Sequence, residues 1–410
     1  MGIVRLTMEN QGNKKKHSAY NIICFGFLPW NNMWGRNQSM MAEIAQFHLI
    51  HKVIFVDPLL SIRKVFTHKS KHLNTSSHIA CKLFPSKKTS KIWEYVPLTF
   101  LPFKRRFSAL EKLENRINLN IIRLINSNMP FILFINSPKN SLQYLLDELL
   151  KKADLSIFDF CDDFVEYYPS EAVEARAIFS RNIEKYAKSS DIVLSINDHL
   201  RNKYSFLNKN IHVIKNGTNY YNFDRKTYKT IDFLERIKSK KKPIIGYSGN
   251  INTFRIDFSL LDFLLDQRPN WQYVFIGPAE SYFTKRYLKF ENVYHVPPVD
   301  YQTLPDYIRY FDVAIVPFKI NEHTKGNNLL KFHDYLAMGK PIVSTDMGGA
   351  NDLRDVIRIA QRPSDFLEKV EKALSPDTFR NTLKRKKVAL ENSWQHRIKE
   401  LEELIKNSIS

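Results

Sequence analysis

Short apolar runs alternate along the chain with longer stretches whose apolar residues recur at helical spacing. In the first half, each β-branched run of strand length is followed by such a stretch. We predict strands at 21–27, 52–56, 131–135, 155–160, 192–195 and 212–214, and helices at 36–48, 141–151, 170–188 and 198–207. This order indicates βαβ units around a mostly parallel sheet that is buried on both faces.

A polar break separates this half from a second half with the same alternation. Asn216-Gly217 begins the break, and a short basic helix that ends in Lys238–Lys242 closes it; the turn residues between them predict a domain boundary. Beyond it we predict strands at 243–248, 271–276, 293–296, 313–316, 342–344 and 356–360, and helices at 257–267, 305–311, 329–337, 364–373 and through the charged segment to 406.

The predicted fold class is therefore α/β, with two Rossmann-like doubly wound domains that face each other across a cleft. We expect a disordered basic tail at 1–20, an N-terminal domain at 21–225, a C-terminal domain at 226–385 and a C-terminal helix at 386–410, with the C-terminal helices returning toward the N-terminal domain.

Net charge narrows the choice of partners. The 410 residues carry a net charge of +20, which favours nucleic acid, a phosphorylated substrate or an acidic membrane. The basic residues are dispersed and form no known nucleic-acid-binding motif, so we expect no nucleic acid partner.

Cysteine usage and the N-terminus point to a reducing compartment. Cys24, Cys81 and Cys161 are far apart and form no CxxC pair, which argues against a disulfide framework and a structural zinc site. The first 20 residues lack the apolar segment of a secretory signal, and no apolar run approaches the roughly 18 residues that span a bilayer. We therefore expect a cytoplasmic protein.

Ligands of open parallel sheets bind beyond the carboxyl ends of the strands, so the residues there are candidates for chemistry. Trp34 and Arg36 follow the first strand, and an aromatic face with a guanidinium suits a sugar or a phosphate. Asp159, Asp162 and Asp163 lie at or beyond the end of strand 155–160, where a carboxylate could orient a hydroxyl or accept its proton. Packing of the tryptophan and capping of the next helix are equally open explanations.

The second half offers a stronger candidate. Gly249, Asn250 and Arg255 follow its first strand, where a small residue admits a ligand and an arginine can bind a phosphate. In helix 329–337, we predict Asn328 as the N-cap, with Lys331 and Asp334 on one face. The N-terminus of this helix would hold an anionic diphosphate. Since no GxGxxG motif is present, a dinucleotide cofactor is not expected.

These residues resemble the group 1 (family 4 type) glycosyltransferases of the GT-B fold, in particular the bacterial branch that builds envelope polysaccharides. The stretch from Asn328 to Thr345 is similar to that branch's pattern Asn-Pro-Leu-Lys-Leu-Tyr-Glu-Tyr-Leu-Ala-x-Gly-Lys-Pro-Val-Val. Segments 158–164, 216–217, 244–251 and 268–278 agree in order, and the likeness spans about residues 20–400.

The resemblance implies a nucleotide-sugar as co-substrate, no other cofactor, no metal and retention of the anomeric configuration. The donor would bind on the C-terminal domain, at Gly249, Asn250, Arg255, Asn328, Lys331 and Asp334. The acceptor, a saccharide or a lipid-linked saccharide, would bind on the N-terminal domain, at Trp34, Arg36 and Asp163. Arg255, Lys331 and Asp162 are the catalytic candidates, the first two stabilising the departing diphosphate.

Three positions depart from the family pattern. Gly326 stands where the family often has a first glutamate, Asp334 replaces the second, and Leu329 replaces the usual proline. A degenerate scaffold or binding subunit is therefore the second hypothesis. Another GT-B enzyme, such as a sugar-nucleotide epimerase, would instead need histidines and carboxylates around the sugar.

The positive charge then predicts a peripheral position on the inner face of the cell membrane, facing a lipid-linked acceptor. The predicted docking surface is the aromatic and basic segment 93–107, which contains Lys104, Arg105 and Arg106. A loop that covers the N-terminal core is the alternative explanation of that segment.

Overall fold

A computed structural model describes residues 17–30, 34–58, 60–61, 85–99, 108–136, 142–166, 172–321, 324 and 326–409. Most of the predicted tail lies outside these residues. In the part that is described, no helix is both long enough and apolar enough to cross a membrane.

The N-terminal domain is built on an eight-stranded sheet. The described residues of this half form ten strands: β1 Tyr20–Phe25, β2 Ile50–Val56, β3 Leu60–Ser61, β4 Ser86–Lys87, β5 Ile92–Tyr95, β6 Leu98–Thr99, β7 Phe131–Ile135, β8 Leu155–Phe160, β9 Ile192–Ser195 and β10 Ile211–Val213. The order in the large sheet is β10-β9-β8-β7-β1-β2-β5-β4, and β3 pairs with β6 apart from it. All pairs are parallel except β4 with β5, as the βαβ pattern predicted.

Helices cover both faces of this sheet. They are α1 Arg36–Ile44, α2 Ser108–Asn126, α3 Gln143–Leu150, α4 Val173–Ser189 and α5 Asp198–Tyr204. One face packs against α1, and the other packs against α2 to α5. Because both faces are covered, strands such as β7 and β8 are buried at every position.

The C-terminal domain has a six-stranded, fully parallel sheet. Its strands are β11 Ile244–Ser248, β12 Gln272–Ile276, β13 Val293–Val296, β14 Val313–Val316, β15 Ile342–Thr345 and β16 Arg358–Ala360, in the order β13-β12-β11-β14-β15-β16. The linker and this domain carry α6 Tyr220–Phe223, α7 Asp232–Lys238, α8 Phe258–Gln267, α9 Ser281–Tyr287, α10 Leu304–Ile308, α11 Leu330–Ala337 and α12 Pro363–Leu374.

The last two helices return to the N-terminal domain. Helix α13, Phe379–Glu391, is followed after a two-residue break by α14, Trp394–Ile409. Buried side chains of α14 join the core on the α1 face of the N-terminal sheet: Trp394, Ile398, Leu401, Ile405 and Ile409. The predicted return of the C-terminal helices is thus present, and it is made by the two helices α13 and α14.

Among the described residues, seven elements were not predicted: β3, β4, β5, β6, α2, α6 and α9. Trp93, the first residue of the predicted docking segment, lies in β5 opposite Ile54 of β2. Residues 100–107, which include the three basic residues of that segment, lie outside the described residues, so this prediction stays open.

A substitution in α14 tests whether this helix packs on the N-terminal domain. We expect Leu401→Ala to lower the free energy of unfolding by about 2–5 kcal/mol, because Leu401 is fully buried against the N-terminal sheet. Leu383→Ala on α13 is the matched control, since Leu383 is 49% exposed and its change should be small. Urea denaturation measures both; equal losses would contradict the packing of α14.

Candidate functional site

A cavity of about 470 Å³ lies between the two domains, at the carboxyl ends of their parallel strands. Loops after β1, β8, β11 and β12 and the N-terminus of α11 line it. Nine of the ten predicted site residues are in its lining: Trp34, Arg36, Asp162, Gly249, Asn250, Arg255, Asn328, Lys331 and Asp334. We call this cavity the cleft.

Arg36 is held in the wall of the cleft by a buried ion pair. Its guanidinium donates two hydrogen bonds to the carboxylate of Asp159, both at 2.9 Å. It also donates to Oδ1 of Asn216 at 3.1 Å, and Asn136 donates to Asp159 at 2.7 Å. The guanidinium that was predicted to bind the acceptor is therefore occupied by protein partners and fixes the shape of this wall.

Asn328 connects the domains instead of capping α11. Its side-chain oxygen accepts from the backbone N–H of Asn216 at 3.1 Å, and its carbonyl accepts from the Asn216 side chain. The N-cap of α11 is Leu329, which supplies no side-chain hydrogen bond. The predicted cap is wrong because a tertiary partner competes for the Asn328 side chain. The start of α11 is consequently left without a side-chain acceptor beside the cleft.

Lys331 lies on the first turn of α11 beside aromatic rings. Its ammonium donates to the hydroxyl of Tyr247 at 2.8 Å and lies 4.0 Å from the centre of that ring and 4.9 Å from the ring of Phe318. Burial, followed by the positive charge of Arg255, lowers the pKa of Lys331 well below its usual value, while Asp334 opposes this shift. A cation held in this way gains from an anionic ligand.

Glycines make room for this lysine. Gly249 has φ +133°, and a Cβ there would lie 2.5 Å from Nζ of Lys331. Gly277 has φ +130°, and its Cβ would lie 2.3 Å from the carbonyl oxygen of Gly249. Both backbones thus need glycine for conformation and for space.

Arg255 and Asp162 face each other across the cleft. Their charged atoms are 3.9 Å apart, with Arg255 on the C-terminal domain and Asp162 on the N-terminal domain. Both side chains are partly exposed to the cleft, so they can exchange this contact for ligand atoms.

Asp334 is buried under the cleft. One carboxylate oxygen accepts from Thr218 at 2.6 Å and from Tyr301 at 3.0 Å. Burial raises the pKa of Asp334 to about 7, although those two hydrogen bonds and the charge of Lys331 lower it. The sequence did not indicate Thr218 or Tyr301, because both come from loops distant along the chain.

Asp163 is not in the lining of the cleft. Its side chain is 2% exposed and accepts from Lys203 at 2.8 Å. The buried carboxylate of Asp163 thus pairs with a partly exposed lysine outside the cleft lining, and its contact with an acceptor stays a prediction. Of the two adjacent aspartates, Asp162 faces the cleft.

Trp34 joins the two domains through stacking. Its ring lies parallel to that of Tyr301 on the C-terminal domain, with ring centres 6.1 Å apart. Trp34 is half-buried and lines the cleft, so part of its surface is available to a ligand. The Tyr301 ring behind it is the same residue that donates to Asp334.

The raised pKa of Asp334 predicts a pH-dependent stability. Between about pH 4 and pH 7 the folded protein holds a proton on this carboxyl that the unfolded chain has lost. The contribution of Asp334 to the free energy of unfolding therefore declines by about 1.4 kcal/mol per pH unit as pH rises. Asp334→Asn lacks that proton. We expect the free energy of unfolding of the variant to rise relative to that of wild type as pH rises through this window, and the difference to be constant above about pH 7.

Urea denaturation at several pH values measures this difference. A difference between Asp334→Asn and wild type that does not change with pH would contradict the burial of an ionisable carboxyl at this position.

Comparison with known proteins relates part of the chain to a known family. Residues 242–376, most of the C-terminal domain, match the family model described as Glycosyl transferases group 1. TuaH of Bacillus subtilis, named as a teichuronic acid biosynthesis glycosyltransferase, is 24% identical over 194 residues; the match spans 45% of this chain and 48% of that protein, so it covers about half of each.

Solved structures share the whole fold. A sucrose-phosphate synthase from Thermosynechococcus elongatus superposes with a TM-score of 0.63 at 14% identity, covering 95% of this chain and 98% of that one. A trehalose-6-phosphate structure from E. coli, bound with UDP-2-fluoro glucose, gives 0.66 at 12% identity, covering 95% and 99%. Anabaena Alr3699/HepE, in complex with UDP and glucose, gives 0.63 at 9% identity, covering 95% and 100%. The chain thus shares the GT-B fold of these structures, and its residues 242–376 are similar to the group 1 glycosyltransferases.

Proposed function

We propose that the protein transfers a sugar from a nucleotide-sugar donor to a saccharide or lipid-linked saccharide acceptor in the synthesis of a cell-envelope polysaccharide. The observation that carries this proposal is the partly desolvated Lys331 ammonium, placed at the start of α11 in the cleft. The UDP-containing structures of the E. coli and Anabaena proteins support a nucleotide-sugar donor, and the name of TuaH supports a polysaccharide product.

In this proposal the donor diphosphate meets Lys331 and the start of α11. The side chain of Lys331 supplies a positive charge, and the first backbone N–H groups of α11 supply hydrogen-bond donors. Gly249 lets the backbone of the β11 loop approach the same phosphates. Arg255 would leave Asp162 and bind the diphosphate, because a phosphate is the stronger partner for a guanidinium.

The transfer step then follows from charge. The bond between the anomeric carbon and the diphosphate oxygen breaks, and its electron pair leaves with the diphosphate. Lys331 and Arg255 stabilise that developing negative charge. The acceptor hydroxyl forms the new bond to the anomeric carbon on the face that the diphosphate leaves, and its proton passes to the departing phosphate oxygen. We propose retention of configuration and no metal ion, with Asp162 orienting the acceptor hydroxyl.

A catalytically inactive binding subunit is the second candidate. Gly326 has no side chain where the family often has a glutamate, and its carbonyl accepts from the side chain of Asn197 on the N-terminal domain at 2.6 Å. This position therefore serves as a contact between domains. Such a subunit would not need to bind the nucleotide tightly.

A thermal-shift panel of UDP-, GDP-, ADP- and dTDP-sugars tests donor binding. We expect one nucleotide class to stabilise wild type, because a ligand that binds the native state raises its stability. Lys331→Ala should lose most of that shift. Lys319→Ala is the charge-matched control, since Lys319 is exposed and not in the cleft lining. If no nucleotide stabilises wild type at millimolar concentration, the binding-subunit hypothesis replaces the enzyme.

We also propose that α2 attaches the protein to the inner face of the cell membrane. Three apolar side chains lie on one exposed stripe of this helix: Leu113 (53% exposed), Ile117 (43%) and Leu124 (79%). Lys112 and Arg116 are exposed beside them. Apolar side chains flanked by basic residues favour an anionic bilayer surface, and the net charge of +20 adds to that attraction.

Sedimentation with phosphatidylglycerol vesicles tests this attachment. The triple variant Leu113→Ser, Ile117→Ser and Leu124→Ser should bind at least about tenfold more weakly than wild type, because it removes the apolar part of the surface. A control triple on the C-terminal domain, Leu288→Ser, Ile320→Ser and Leu383→Ser, changes the same residue types at similar exposure. Equal losses in both triples would contradict a role for α2.

A further inference from the structure

A second cavity of about 310 Å³ lies behind the cleft, where both domains, the linker and the last helix meet. Its size is within the range of small-molecule sites. Eight residues line it: Trp34, Ser39, Ala42, Glu43, Gln46, Asn219, Gln302 and Trp394. We call it the junction cavity.

Among the described residues, the lining of the junction cavity contains no cation. None of its eight residues is a lysine or arginine, although the chain carries a net charge of +20. Its single charged group is the carboxyl of Glu43, which accepts from Gln395 at 2.8 Å and whose pKa burial raises. An anionic ligand is therefore disfavoured here, in contrast to the cleft with Lys331 and Arg255.

Aromatic rings and amides give this cavity its chemistry. Trp34 contributes a half-buried indole ring, Trp394 contributes a fully buried one, and Gln46, Asn219 and Gln302 contribute side-chain amides. Ring surface together with planar amides and one carboxyl suits a neutral molecule that has both apolar C–H surface and hydroxyl groups. A sugar ring is such a molecule.

Two buried polar groups of the lining lack partners. Nε1 of Trp394 and Oγ of Ser39 have no hydrogen-bond partner among the residues that the structure describes, and their residues are 0% and 3% exposed. Buried donors are normally satisfied, so each group marks a place where a hydroxyl of a ligand would complete the hydrogen bonding after a small side-chain adjustment.

Trp34 forms a wall that the junction cavity shares with the cleft. It stacks on Tyr301, and Tyr301 donates to Asp334. A ligand in the junction cavity would thus contact the aromatic pair that spans the two domains. Tyr301 of that pair contacts Asp334 of the proposed donor site.

We propose that the junction cavity binds one neutral sugar ring, separately from the nucleotide-sugar. The inference rests on the proposed function, because a transferase that extends a saccharide needs to hold units remote from the bond being made. Continuity through Trp34 favours a ring that belongs to a saccharide chain over a free sugar.

Tryptophan fluorescence of the full chain tests this site, since Trp34 and Trp394 both line it. The probes are glucose, galactose, mannose, N-acetylglucosamine, maltose and maltotriose, with glucuronate as the anionic comparison. We expect at least one neutral sugar to change the fluorescence and glucuronate to leave it unchanged. Tighter binding of maltotriose than of glucose assigns the ring to a chain, whereas equal affinities assign it to a free sugar.

Two phenylalanine variants locate the binding. Ala42→Phe fills the cavity and should weaken the binding of the sugar by roughly tenfold or more, whereas Ala177→Phe, at an exposed position of α4, should not. Ser39→Ala is the milder second variant if Ala42→Phe does not fold. Lys331→Ala should keep sugar binding while it loses the nucleotide-induced thermal shift, so the two proposals fail separately.

Three outcomes overturn the inference. They are no fluorescence change with any neutral sugar, full binding in Ala42→Phe and Ser39→Ala, and loss of sugar binding in Lys331→Ala. The first means that the cavity holds water alone, and the other two place the sugar elsewhere.

Discussion

A buried polar chain between the two domains determines where the cleft walls lie. Asp159 binds Arg36 through two hydrogen bonds, Arg36 binds Asn216, and Asn216 binds Asn328 beside α11. Removing one member of a buried ion pair costs about 3–5 kcal/mol, so this chain is strongly constrained to stay complete. Because it begins at β8 and ends at α11, it fixes the acceptor side of the cleft relative to the donor side.

The electrostatics of the cleft depend on that arrangement. Lys331 is pressed against the ring of Tyr247, and Gly249 leaves the space for its ammonium. Its nearest carboxylate of the same helix, Asp334, is committed to Thr218 and Tyr301. The lysine is therefore a desolvated cation with little compensation from the protein. An anion that enters the cleft supplies the negative charge that Lys331 lacks. The packing around Lys331 therefore favours the proposed binding of a diphosphate.

The sequence predicted the layers and most of the cleft lining because parallel strands bring their carboxyl ends together. Its predictions failed where a side chain contacts a partner that is distant along the chain. Asn328 bonds Asn216 instead of capping α11, and neighbouring Asp162 and Asp163 point to different surroundings. Helix α2 was not predicted because Glu114 and Asn118 interrupt its apolar face; both are buried, and Asn118 accepts from the hydroxyl of Tyr95 on β5. The pattern of neighbouring residues in the sequence does not reveal such contacts between distant segments.

Proton uptake on nucleotide binding tests the central claim most directly. If the diphosphate pairs with Lys331, it raises the lowered pKa of that ammonium, and binding takes up protons where the free lysine is partly neutral. Calorimetric titration with the stabilising nucleotide diphosphate, in buffers of different ionisation enthalpy across the neutral and alkaline range, measures that uptake. The account predicts proton uptake by wild type and its loss in Lys331→Met. Binding without proton uptake, or the same uptake in the variant, would contradict it.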